Sequence, residues 1–128
     1  MKSYYQVKED FLIDENRTYL FGFSQGGGLS YYLGAKYANI FTGIFSVSGR
    51  PFKVKNYSIK GKKLKKVASI IGTLDKTKNL LYDNVNIESY LKSSKVLFYL
   101  KQLKIGHELP EDKYLLEGFI WLLEEIGN

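Results

Sequence analysis

A chain of 128 residues, 45% hydrophobic and 25% charged, is sized for one domain with a single modest core and is too apolar to be read as disordered. It has no cysteine, which removes disulfides, thiolate chemistry and cysteine-ligated zinc, and its one histidine gives no basis for a multi-histidine metal centre. The net charge of +6 gathers in one stretch, where Lys53, Lys55, Lys60, Lys62, Lys63, Lys65 and Lys66 fall close together.

That lysine run reads first as a solvated connecting loop. A run of this kind also attracts nucleic acid or an anionic membrane surface. Tyr57 is its only aromatic, so the repeated stacking platforms of single-strand binders are missing. An anion- or nucleic-acid-binding module is the last of three readings once the residue order described below is counted, and no nucleic-acid partner is expected. No apolar run approaches the roughly 20 residues that span a bilayer. The first ten residues lack the apolar core of a signal peptide, and the expected location is cytoplasmic.

In chain order, Tyr5 to Ile13 reads as a short helix with a turn at Asp14-Glu15-Asn16. Arg17 to Phe23 is rich in β-branched and aromatic residues and predicts a strand buried on both faces. Leu29, Tyr32, Leu33, Lys36 and Tyr37 then recur at spacings of three and four, one stripe of a helix ending near Ala38-Asn39. Thr42 to Ser48 predicts a second strand, and the basic loop follows. Val67 to Ile71 is a third strand closed by Gly72. A helix is expected from about Asn79 to Ser94, although Asn84 and Asn86 weaken its pattern. Val96 to Leu100 is the fourth strand. Pro110 and Glu111-Asp112 start a last helix, to which Leu115, Leu116, Phe119, Ile120, Leu122, Leu123 and Ile126 give a broad buried face, with Gly127 at its end. This alternation predicts an α/β fold: a single domain over residues 1–128, with βαβ crossovers and about four parallel strands.

One segment carries chemistry. Gly22-Phe23-Ser24-Gln25-Gly26 lies where a predicted strand meets a predicted helix, the setting that gives a G-x-S-x-G pattern its meaning. A serine on such a turn takes strained backbone angles, and side chains at the flanking positions, Gly22 and Gly26, are expected to collide with their neighbours. The hydroxyl then stands clear at the C-terminal edge of the sheet, and the backbone N–H of Gln25 faces the place where an oxyanion forms. Taken alone, the segment also fits a plain strand-to-helix connection or a phosphate-cradling loop.

A serine hydroxyl needs a general base within reach. His107, the only histidine, follows the fourth strand, and in an open parallel sheet sites assemble at that edge. Asp75 follows the third strand and ends at the same edge, placed to orient an imidazole; a turn or helix-capping aspartate is its plainer role. Asp14, Asp83 and Asp112 are worse placed. The order Ser24, Asp75, His107 is the one used by α/β-hydrolases.

The segment Arg17 to Gly27 resembles the nucleophile region of the phospholipase/carboxylesterase family, which includes acyl-protein thioesterases. Phe41 to Gly49 resembles that family's next strand, Gly72-Thr73-Leu74-Asp75 its acid loop, and Gly106-His107-Glu108-Leu109-Pro110 its histidine loop. The separations of 51 residues from Ser24 to Asp75 and 32 from Asp75 to His107 are of the family's size. The resemblance implies a serine-dependent hydrolase of carboxylic esters or thioesters. Ser24 is then the nucleophile, His107 the general base and acid, Asp75 the orienting carboxylate and Gln25 an oxyanion donor, with no cofactor. Prolyl-oligopeptidase-like and feruloyl-esterase-like hydrolases share similar motifs.

The resemblance covers the C-terminal part of such enzymes. Only 23 residues precede Ser24, fewer than the roughly 30 of one βαβ unit, whereas the family carries several strands and a further oxyanion donor there. The expectation is a partial α/β-hydrolase fold whose Arg17–Phe23 strand becomes a bare edge. Such a chain is completed by an N-terminal half, seals as a homodimer, or persists as a non-catalytic remnant.

Overall fold

The computed structural model describes residues 17–125; the helix expected over Tyr5–Ile13, and Ile126 and Gly127, lie outside the described residues. Four strands, β1 (Tyr19–Phe23), β2 (Gly43–Val47), β3 (Lys66–Gly72) and β4 (Leu97–Leu103), form one sheet in the order β1-β2-β3-β4, and every pairing is parallel. Three helices accompany them: α1 (Gln25–Lys36), α2 (Leu80–Ser93) and α3 (Asp112–Leu123). The expected α/β architecture and its order of elements are those observed.

Side-chain alternation along the strands divides the core. Ile44 and Val67, partners across β2 and β3, pack with Tyr31 and Ala35 of α1 and with Ile87 and Leu91 of α2. Their neighbours Phe45 and Ala68 point to the other face and pack with Leu122 of α3. Two helices thus cover one face and one covers the other, which is why every residue of β2 and β3 is buried. β1 and β4 lie at the two edges of the described sheet and are only partly covered. The double-sided burial expected of β1 is therefore not found: Phe21, at its centre, is 46% exposed. β4 runs on to Leu103, beyond the expected Leu100. Its polar Lys101 and Gln102 pair with Ile70 and Ile71 of β3, an edge position that lets their side chains reach water.

Two helical faces differ from expectation. The stripe Leu29, Tyr32, Leu33, Lys36, Tyr37 is not the buried side of α1; Gly27, Ser30, Tyr31, Gly34 and Ala35 are. Small residues win that face because the helix lies almost on the sheet: a side chain at Gly34 would come within 2.3 Å of Ile44 Cδ1. In α3 only Gly118 and Leu122 are buried, while Leu116, Ile120 and Leu123 are about half exposed. That helix meets the sheet along a narrow line, with Phe119 stacked edge-on to Phe45 at 4.9 Å.

The lysine-rich loop is tied down by its apolar residues. Val54, Ile59 and Leu64 are buried, while Lys53, Lys55, Lys60 and Lys65 reach solvent. Lys66 departs from the solvated reading. It opens β3, is 5% exposed, and donates from Nζ to the carbonyls of Trp121 and Glu124, both at 2.7 Å. A cation there meets the orphan carbonyls and the negative end of α3.

Candidate active site

The first part of the site is made by backbone. Ser24 has φ 59° and ψ −118°, a region that costs a non-glycine residue energy, and it stands at the N-cap of α1 without a side-chain capping bond. An N-cap serine ordinarily turns its oxygen back to the helix amides; here Oγ is left for another partner. The elbow is pinned by its main chain, with Ser24 N–H donating to Val47 C=O at 2.8 Å and its carbonyl accepting from Gly28 N–H at 3.1 Å. The Gln25 N–H belongs to the first helical turn, whose donors have no intrahelical acceptor.

The two flanking glycines are not equivalent. A Cβ at Gly22 would sit 2.1 Å from Gly26 O, so only glycine lets the strand pass under the helix. At Gly26 no described atom lies within 4 Å of such a Cβ. The collision expected at Gly26 is thus absent among the described residues.

The three loops expected at the C-terminal edge meet there. Ser24 Oγ is 2.8 Å from His107 Nε2, and His107 Nδ1 is 2.6 Å from Asp75 Oδ2. With Nδ1–H donating to the carboxylate, Nε2 is an acceptor and the serine hydroxyl donates to it. The Asp75 side chain is 1% exposed and that of His107 is 38% exposed. Burial works to raise the Asp75 pKa, but the Thr77 backbone N–H, the Thr77 hydroxyl and His107 outweigh it and hold the carboxyl below the usual carboxylate range. The imidazole also lies against Phe23, ring centroids 5.6 Å apart.

The Asp75 carboxylate is hydrogen-bonded at both oxygens. Oδ1 accepts the Thr77 N–H at 2.9 Å in a local turn, while Oδ2 holds the histidine. Thr77 was not singled out from the sequence, although an aspartate two residues before a threonine after a strand is a turn signal. Gly72, which closes β3 and opens the acid-loop segment, has a steric task that its place in the sequence does not reveal. A side chain there would meet Ile105 O at 2.3 Å and Gly106 O at 2.5 Å, so its bare Cα is what lets the histidine loop close on the aspartate loop. Ser24, Gln25, Gly28, Ser48, Arg50, Thr77, Leu80 and His107 line an open cleft of about 220 Å³ beside the hydroxyl. Arg50, at its rim, is ion-paired with Asp83 and donates to Lys78 C=O at 2.6 Å. Asp83, which the sequence placed as a weaker candidate acid, thus serves an arginine, and Asp112 begins α3 as expected.

Residues 4–114 match the phospholipase/carboxylesterase family. The chain belongs to that family. No curated protein matches the sequence. Among solved structures, SOBER1 of Arabidopsis thaliana is similar at 20% identity with a TM-score of 0.76, over 95% of this chain and 60% of that one. FphF, a fluorophosphonate-binding serine hydrolase of Staphylococcus aureus, is similar at 16% identity with a TM-score of 0.70, over 97% of this chain and 62% of that one. A Bacillus cereus carboxylesterase is similar at 17% identity with a TM-score of 0.70, over 91% of this chain and 54% of that one. The family member described here therefore spans about three fifths of the length of those structures, and its four-stranded sheet is part of their fold. No helix among the described residues is long and apolar enough to cross a membrane.

Proposed function

We propose that this chain carries the catalytic triad of a serine hydrolase that cleaves carboxylic esters or thioesters through an acyl-enzyme. The observation that supports it is the unbroken hydrogen-bond line from Ser24 Oγ through both ring nitrogens of His107 to Asp75. Ser24 Oγ attacks the carbonyl carbon while Nε2 takes its proton. The carbonyl oxygen gains the negative charge and is met by the Gln25 N–H. Asp75 holds the ring in the tautomer that leaves Nε2 free to accept, and it stabilises the imidazolium that results. As the tetrahedral intermediate collapses, Nε2–H protonates the departing oxygen or sulfur, leaving the acyl group on Oγ. Water, deprotonated by Nε2, then attacks the acyl carbon; the acid leaves and the proton returns to the serine.

A fluorophosphonate probe is expected to label the chain at Ser24. Labelling should vanish in Ser24→Ala and slow by about 100-fold or more in His107→Ala, because a positioned base contributes at least that much. Mass spectrometry of the labelled peptide reads the position. Labelling that persists in Ser24→Ala would overturn the assignment.

A further inference from the structure

The stripe of α1 that faces away from the core forms one wall of a groove. Leu29, 54% exposed, and Tyr32 line it together with Phe52, 49% exposed, and Lys53, and Gln25 and Gly28 form its inner end. Its volume is about 490 Å³. Gln25 and Gly28 also line the cleft beside Ser24, so the groove opens from the place where the oxyanion would form. His107 lines that cleft and not the groove.

Its chemistry is apolar with a positive end. The Tyr32 and Phe52 rings lie 5.8 Å apart. Lys53 Nζ stands 5.1 Å from the centre of the Phe52 ring, and Lys36 Nζ stands 5.6 Å from that of Tyr32. Lys53 takes a left-handed backbone conformation, φ 55°, a cost that places its side chain beside this wall. No acidic residue is among those that line the groove within the described part of the chain. The Tyr32 hydroxyl is held below the ordinary phenol range first by the hydrogen bond from the Tyr57 hydroxyl and then by Lys36.

We propose that this groove is the acyl subsite and that it selects acyl arms with an apolar stem ending in a carboxylate, which Lys53 receives and Lys36 supports. The word acyl rests on the hydrolase reading above: a leaving group must take its proton from His107, so the arm running past Gln25, away from the imidazole, is the one that stays on the serine. Apolar stem and anionic end follow from the lining alone.

The test uses the 128-residue chain with 4-phenylbutyrate and its neutral analogue 4-phenylbutan-1-ol as probes, titrated by calorimetry and by backbone amide shifts. The carboxylate should bind about three- to fivefold more tightly at low salt, the range expected for a partly exposed ion pair. The preference should disappear in Lys53→Gln and shrink in ~0.5 M salt, with the largest shifts at Gly28, Phe52 and Lys53. Equal affinity for the two probes, binding of neither, or a preference that survives Lys53→Gln would overturn the proposal. Fluorophosphonate labelling of Ser24 reports separately. Selective binding without labelling removes the acyl role and with it the hydrolase reading. Labelling without selective binding removes the groove and leaves the hydrolase.

Discussion

Ser24 and Gly22 show how narrow the tolerance of the elbow is. The serine is held at positive φ by bonds on both sides, and the glycine two residues earlier passes the helix at a distance that no side chain fits. Gly22→Ala should destabilise the fold by about 3 kcal/mol, since backbone rather than a flexible side chain blocks the methyl group. Gly26→Ala should do the reverse and add about 0.5–1 kcal/mol, because alanine replaces glycine inside a helix where no described atom obstructs it. Urea midpoints at constant m-value separate the two outcomes; equal losses at both positions would show that the glycines are equivalent after all. At this scale the sequence is most legible. Ser24, Asp75 and His107 are recognisable because each ends a strand at the same edge, whereas the asymmetry of the two glycines depends on which neighbour lies behind each Cα, and no spacing reveals that.

Asn84 ties α2 to α1, to β3 and to the loop at Gly49 at one buried point. Its Oδ1 accepts from the Tyr31 hydroxyl of α1 at 2.7 Å and the Ser69 hydroxyl of β3 at 2.8 Å, and its Nδ2 donates to Gly49 C=O and Leu80 C=O, both at 2.9 Å. It is 0% exposed, and burial raises the Tyr31 pKa well above the phenol range. A complete network of this kind is costly to break because each former partner is left dry and unpaired. Asn84→Ala should therefore cost about 3 kcal/mol or more, and Asn84→Asp no less, since it buries a charge in the same place. Thermal melts of both variants check this; a loss under about 1 kcal/mol would mean that water takes over the bonds. In the sequence the same asparagine looked like a flaw in the apolar pattern of α2. The stripe of α1 misled for a related reason: hydrophobic periodicity marks a face without saying which face the sheet receives, and a helix seated on glycine, serine and alanine reverses the usual answer. Length of β4 was hidden because pairing to β3, not apolar character, carries it through Lys101 and Gln102.

Across the whole molecule the sheet is graded from a dry centre to wetter margins. β2 and β3 are buried throughout and flanked on both sides, whereas β1 and β4 have a neighbour on one side only among the described residues. Amide hydrogen exchange should be slowest in Phe45, Val47, Ala68 and Ile70 and faster in β1, following the order of local burial; a β1 protected as strongly as β3 would mean that its outer edge is covered. The candidate site straddles this gradient, with the serine after β1, the aspartate after β3 and the histidine after β4. Main-chain bonds cross it in steps. Ser24 N–H donates to Val47 C=O, Ser48 N–H to Ile70 C=O, and Thr73 N–H to Leu103 C=O, at 2.8, 2.9 and 2.7 Å. Each loop is thus moored to the last residues of the strand beside it, so the sheet itself sets where the rim's loops begin. The register of four strands thereby becomes the ruler for the gap between hydroxyl and imidazole, and a shift of one strand against its neighbour would be read directly in that gap.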